Sequence, residues 1–232
     1  MKTSIICCYY NEINLIKTKL ISFIDFIKKT KLDTEIIIVD NNSNDGTTEF
    51  LTELSQNKDY QEIKYIFNSN NLGKGGSIKK ACTIASGKLA CIFDIDEYSY
   101  EDLLSGLRYF DNHNVDLLIG SRILKNKKFI YKRNLYGVIA LTSLINILFD
   151  LNLTDSAGAT KIFKLESYKS TTIHTSGFNF EFELICKFAR KKFIISEYPN
   201  DYNPRTYAQG KKIRPLKDGT KILITIIKSY FI

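Results

Sequence analysis

Short apolar runs rich in β-branched residues alternate with stretches whose apolar side chains recur every three or four positions. The runs are "TSIICCYY" (3–10), "TEIIIVD" (34–40), "EIKYIF" (62–67), "LACIFD" (89–94) and "VDLLIG" (115–120). Near-continuous apolarity predicts strands covered on both faces. Between them, Ile13, Ile16, Leu20, Phe23, Ile24 and Ile27 keep helical spacing, as do Ile78, Ala81, Cys82 and Ala85, and then Leu103, Leu104, Leu107 and Phe110. This alternation predicts a parallel sheet with helices on both faces. Ligands of such sheets bind beyond the carboxyl ends of the strands. Asp40 and Asp94 stand at two such ends.

The second half is less regular. Residues 133–149, "RNLYGVIALTSLINILF", are strongly apolar but carry Thr142, Ser143 and Asn146. The uninterrupted part is too short for a membrane span, which leaves a core helix or a helix lying on a membrane face. "GATKIF" (158–163) and "KFIISEYP" (192–199) read as strands, and Phe178, Phe182, Ile185 and Ala189 as a helical stripe. "NPRTYAQGKKIRPL" is a loop by its Pro, Gly and charge content. Leu223, Ile226, Ile227 and Tyr230 predict a last amphipathic helix.

Composition narrows the classes. With 232 residues, 44% of them apolar, one large α/β domain or two small ones have ample core. The N-terminal apolar run ends in "NE" without a signal-peptide cleavage site. Five cysteines lack CxxC spacing and only two histidines exist, which argues for reduced buried thiols in a cytosolic protein and against zinc. The net charge of +8 is concentrated. Residues 117–149 and 202–217 contain no acid and hold 11 of the 33 Lys and Arg, Lys211 and Lys212 among them. Such segments attract phosphates, or are simply a solvated basic surface. They lack interleaved aromatics of the RNA-binding type, so no nucleic-acid partner is expected.

Candidate chemistry lies at the strand ends. Asp94 and Asp96 of "FDIDEY" repel unless a cation sits between them. Hard oxygen ligands without His or Cys suit Mg²⁺ or Mn²⁺, which keep positions for water and phosphate oxygens. "NLGKGGSIKKA" (71–81) is a glycine-rich turn into a helix, with Lys74 placed to meet a phosphate. It is not a Walker motif. "YYNE" (9–12) and "VDNNSNDGT" (39–47) close two further strands on the same rim. Each stretch alone also reads as a turn or helix cap.

Taken in order, "YYNE", "VDNNSNDGT", "NLGKGGS", "FDID", "IGSR", "TDSAGATKIF", "GFNFEFELICKFARKKFIISEYP" and "YNPRTYAQGKKIRPLKDG" resemble the family 2 glycosyltransferases of GT-A fold. The resemblance covers nearly the whole chain and is to the branch of dolichyl-phosphate mannose synthase and polyprenyl-phosphate sugar transferases. It implies one α/β GT-A domain over 1–232 with a mostly parallel central sheet. Residues 1–121 would be the nucleotide-sugar half, and 122–232 the acceptor half with a C-terminal loop and helix. Tyr10, Glu12 and Asp40 match positions lining base and ribose, and Lys74 one near the donor. Asp94 and Asp96 match the metal-binding DxD. Arg122, Arg133, Arg205 and Lys211 match basic positions holding the acceptor phosphate or leaving diphosphate. Three positions depart from the pattern: Cys8 and Tyr9 replace Pro and Thr, Asn41 replaces an acid, and Tyr98 stands where a metal-contacting Gln is frequent.

The resemblance implies inverting transfer from a nucleoside diphosphate sugar to a polyprenyl phosphate, whose oxygen is already anionic. A hydroxyl of a growing capsule, lipopolysaccharide or glycoprotein glycan is the alternative acceptor and would need a carboxylate base. Asp155 is then a candidate, unless it only holds its loop. A nucleotide-binding module without activity is the reading from another class, against which the intact DxD and arginines speak. There is no QxxRW of processive synthases. A protein peripheral to the cytoplasmic membrane face, or a shortened chain, is expected.

Overall fold

The structure, a computed structural model, describes residues 1–96, 99–125, 132–206 and 212–231. Chain order is β1 (Thr3–Tyr9), α1 (Ile13–Lys29), β2 (Thr34–Asp40), α2 (Thr47–Gln56), β3 (Lys64–Phe67), α3 (Gly73–Ile84), β4 (Leu89–Ile92), α4 (Tyr100–Asn112) and β5 (Leu117–Ser121). There follow α5 (Arg122–Lys125), α6 (Lys132–Phe149), β6 (Lys161–Lys164), α7 (Leu165–Lys169), α8 (Phe180–Arg190), β7 (Ile195–Pro199) and α9 (Pro215–Phe231). All seven expected strands form, and they make one sheet in the order β3-β2-β1-β4-β6-β5-β7.

The sheet is mostly parallel, as expected, with one strand reversed. β6 runs antiparallel to both β4 and β5, with Lys161 opposite Ile92 and Ile119. The chain leaves β5, passes through α6 and re-enters the sheet from the same end. The first residue of β6 therefore lies at the carboxyl ends of its neighbours, where ligands bind.

Both faces of the sheet are covered, as the unbroken apolar runs require. Ile5, Cys7 and Tyr9 face α1, α2 and α4 through Phe23, Leu51 and Leu107. Ile6, Ile37 and Val39 face α3, α6, α8 and α9 through Ile78, Ile145, Phe180 and Ile226. All five cysteines are free thiols. Burial holds the thiols of Cys7, Cys8 and Cys91 well above their usual range and Cys82 at about 12.

Two elements differ from the periodicity reading. α2 was not anticipated, because its buried residues Thr47, Leu51 and Leu54 make too short a stripe. α3 starts at Gly73, several residues before its apolar stripe. Glycine disfavours helix, but here tertiary contact decides. A Cβ on Gly75 would stand 2.4 Å from Cβ of Phe180, and one on Gly73, at φ +75°, 2.5 Å from the carbonyl of Ser176. The glycines let α3 lie directly against α8.

Candidate active site

The loops after β1 and β2 are laced together. Asn11 N donates to Ser43 Oγ (2.9 Å), Glu12 N to Thr47 Oγ1 (3.0 Å), Ile13 N to Asp45 Oδ2 (3.0 Å), and Asn44 N to Asn11 Oδ1 (2.9 Å). Asn11 and Asn42 take left-handed φ of 51° and 63°, a conformation Asn tolerates. Asp40 is buried. Its Oδ2 accepts from Thr48 Oγ1 at 2.8 Å and Ser43 N at 3.3 Å, while its Oδ1 has no hydrogen-bond partner. Asn41, where the family pattern has an acid, ties this rim to the glycine turn. Its Oδ1 accepts from Leu72 N (2.8 Å) and Asn68 Nδ2 (3.2 Å), and its Nδ2 donates to Asn71 Oδ1 (2.9 Å). An acid there could not make the last of these.

A cavity of about 750 Å³ opens beyond these strand ends. Tyr10, Glu12, Lys74, Asp94, Asp96, Arg122, Arg133 and Arg205 all line it, although they come from positions almost 200 residues apart. Asp40 and Asp155 lie buried behind its wall. Lys211 and Tyr98 fall outside the described residues. The far end of the cavity is apolar, with Val138 and Leu141 of α6, Phe182 of α8 and Ile222 of α9.

The two carboxylates of "DID" are separately neutralised. Asp94 Oδ2 lies 2.8 Å from Lys74 Nζ. Asp96 Oδ2 lies 2.5 Å from Arg205 Nε, an ion pair without hydrogen-bond geometry. Burial and the neighbouring Asp94 charge push the Asp96 carboxyl above its ordinary value, against the pull of Arg205. Burial alone would lower the pKa of Lys74, but Asp94 and Glu181 outweigh it and hold the ammonium well above the usual range. Arg205 Nη1 also meets Glu12 Oε2 at 3.0 Å. Lys212 bonds to Glu12 and to the carbonyl of Tyr10, with its Nζ 5.7 Å from the Tyr10 ring centre. Two bases from the C-terminal part of the chain, Arg205 and Lys212, thus meet this rim at Glu12.

Arg122 opens α5, where its guanidinium is clamped to Asp155. Nε donates to Oδ2 at 2.7 Å, Nη2 to Oδ1 at 2.8 Å, and the backbone N to Oδ2 at 3.0 Å. Burial would raise the Asp155 pKa, but Arg122 wins and holds it below the ordinary value. Glu197 seats the segment by accepting the N–H groups of Thr154 and Asp155, each at 2.7 Å. The Arg122 Cζ stands 5.0 Å from the Tyr202 ring centre.

Two residues at the site were not singled out in sequence. Lys161, fully buried, and Glu181 join Lys74 in one charge cluster. A lysine inside the apolar run "ATKIF" was the available signal for Lys161. Glu181 was masked by the phenylalanine stripe around it.

Residues 4–172 match the family model described as Glycosyl transferase family 2. The chain is 26% identical over 260 residues to a dolichyl-phosphate beta-glucosyltransferase of Saccharomyces cerevisiae, covering 99% of this chain and 75% of that protein. A protein of the same name from Dictyostelium discoideum is 23% identical, over 98% of this chain and 73% of its own. Among solved structures, glucosyl-3-phosphoglycerate synthase of Mycobacterium tuberculosis, in complex with Mn²⁺, UDP-glucose and phosphoglyceric acid, superposes with a TM-score of 0.71 at 13% identity. It covers 100% of this chain and 80% of that one. The curled, mostly parallel sheet is thus the GT-A arrangement, and the chain belongs to glycosyl transferase family 2.

Proposed function

We propose that this protein transfers a sugar, with inversion, from a nucleoside diphosphate sugar to a polyprenyl phosphate of the dolichyl or undecaprenyl type. The observation carrying this reading is the composition of this cavity. It joins a DxD carboxylate pair and bases at one end to an apolar pocket between α6, α8 and α9 at the other. The names of the curated relatives support the acceptor, and the solved complex with UDP-glucose supports the donor class.

Each end has a task. Tyr10 and Glu12, which line the cavity, suit the nucleoside, and Asp40, buried behind them, braces that rim through Thr48 and Ser43. Asp94 and Asp96 are the residues that would hold a divalent ion. Both are hard oxygen ligands of the kind Mg²⁺ and Mn²⁺ take, and Asp96 Oδ2 is buried without a hydrogen bond, although among the described residues no group of three or more His, Cys, Asp or Glu is gathered. The protein's ligands would be these two carboxylates, with positions left for phosphate oxygens and water. Such an ion, when bound, neutralises charge developing on the leaving diphosphate.

Lys74 and Arg205, now on the two aspartates, are placed to pass to diphosphate oxygens and to give the same electrostatic stabilisation. Arg122 and Arg133 face the acceptor side, where a phosphate monoanion or dianion needs cations but no base. The geometry favours Asp155 as a positioning residue for Arg122: it is buried and both its oxygens are engaged.

α6 buries only Thr142, Ile145 and Phe149 and leaves Tyr136, Ile139 and Ile147 exposed. α9 likewise exposes Leu216, Ile227 and Phe231. Both helices also wall the apolar end of the cavity, so a lipid chain would leave the site toward this surface, and we assign it to the membrane interface. No helix among the described residues is long and apolar enough to cross a membrane.

The test is a panel of UDP- and GDP-sugars with Mn²⁺ or Mg²⁺, with and without undecaprenyl or dolichyl phosphate. Lipid-linked product from one donor is expected. Donor turnover that the lipid does not redirect would move the acceptor to a glycan hydroxyl.

A further inference from the structure

Along the wall of the cavity runs a row of alternating charge, Asp94, Lys74 and Glu181, with Lys161 buried behind it. Lys161 Nζ donates to the carbonyl of Gly158 at 2.5 Å and to Glu181 Oε2 at 3.0 Å. Glu181 Oε1 lies 2.8 Å from Lys74 Nζ, which in turn is 2.8 Å from Asp94 Oδ2. Lys161 is 0% exposed and Glu181 6%. Buried ion pairs seldom out-stabilise apolar residues of the same volume, so this row is better understood through what it holds in place. Lys161 cannot move, because its whole stem is enclosed in the sheet. Glu181 is fixed by it, and the glycines of α3 bring Lys74 against Glu181 by letting α3 lie on Phe180.

We propose that Glu181, locked by Lys161, is a positioning residue that keeps the Lys74 ammonium at the donor diphosphate. The inference rests on the donor reading above. A divalent ion on Asp94 takes away one of the two carboxylates that hold Lys74. A lysine stem regains rotamer entropy once it is loose. Glu181, which also lines the cavity, remains as the second anchor. Lys74 then has N–H donors left for phosphate oxygens, since an ammonium carries three.

The sign of one measurement separates this role from a bystander charge. Removing a carboxylate next to an anionic ligand should, by Coulomb's law alone, tighten that ligand. Removing the post that positions the ammonium should loosen it. The experiment is calorimetric titration of UDP, and of GDP, into wild type, Glu181→Gln, Lys74→Met and Lys74→Met/Glu181→Gln at saturating Mn²⁺. Glu181→Gln is expected to weaken the nucleotide about tenfold, the scale of one charge-assisted hydrogen bond. In the Lys74→Met background the same change should produce no loss. Because Glu181→Gln strands a buried lysine, Lys161→Met/Glu181→Gln serves as a second probe that leaves no unpaired charge and should show the same weakening. Unchanged or tighter binding in both Glu181 variants would overturn the inference. So would an equal loss in the Lys74→Met background. A wild type that binds neither nucleotide would overturn the donor reading itself, and the inference with it.

Discussion

Asp155→Asn separates two jobs open to a carboxylate behind Arg122. The side chain is fully buried and accepts from Arg122 through its backbone N, Nε and Nη2 at 3.0, 2.7 and 2.8 Å, and from Ala157 N at 3.2 Å. Asparagine keeps the shape, but it removes the charge and turns an amide N–H₂ toward guanidinium donors. Taking one partner from a buried ion pair costs about 3–5 kcal/mol. The Tyr202 ring, 5.0 Å from Arg122 Cζ, makes the same contact in both proteins and cancels from the difference. The loss is therefore about 3–5 kcal/mol, centred at about 4. At roughly 2–4 °C per kcal/mol for a chain of this size, the melting temperature should fall by about 8–16 °C at the central value.

The assay is thermal unfolding by circular dichroism, paired with turnover measured well below both transitions. The Asp155 pKa is below its ordinary value in the folded state, so the pair stabilises above the unfolded carboxylate pKa and loses that contribution as pH falls through the folded value. The wild-type advantage over the variant should therefore shrink in acid. An unchanged melting temperature with a collapsed kcat would refute the positioning role and restore Asp155 as a general base.

Four further outcomes follow from the same contacts. Asp94→Asn or Asp96→Asn should abolish metal-dependent turnover while the fold persists by circular dichroism; full activity in both variants would remove the metal assignment. Arg205→Ala, which takes one base from Glu12 and Asp96, should weaken donor binding more than acceptor use, and steady-state kinetics with each substrate varied reads the difference. Burial works against Glu35, but bonds from Lys64, Ser4 and Ser86 lower its pKa from 4.5 to about 2. Glu35→Gln should thus cost stability to urea at pH 7, by roughly 1.5–3 kcal/mol, and the difference should fade as pH drops from about 4.5 toward 2. Gly75→Ala should destabilise by about 1–3 kcal/mol, the usual range for overpacking, because its Cβ would meet Phe180 at 2.4 Å.

Most of the sheet was legible because each strand is an unbroken apolar run, and covered strands need no alternation to be seen. The antiparallel sense of β6 was not legible, since strand direction depends on where the chain re-enters the sheet and leaves no periodic mark. α2 escaped because three buried positions in ten residues barely exceed chance spacing. At the candidate site, Asp94 was visible as a carboxylate at the end of an apolar run, Lys74 as the lysine of a glycine-rich turn, and Arg122 as part of an acid-free basic segment. Lys161 and Glu181 were not, because each sits inside an apolar pattern and owes its significance to a partner far along the chain. The two cations resting on Asp94 and Asp96 belong to this same class of long-range pairing. They answer the repulsion within "DID" by a means that local sequence does not reveal.

The most direct test is the product of a single turnover with UDP-glucose, dolichyl phosphate and Mn²⁺, examined by NMR at the anomeric carbon. The account predicts a β-linked glucosyl phosphate on the lipid, the configuration opposite to that of the donor. An α linkage, or glucose delivered only to a hydroxyl acceptor, would contradict it.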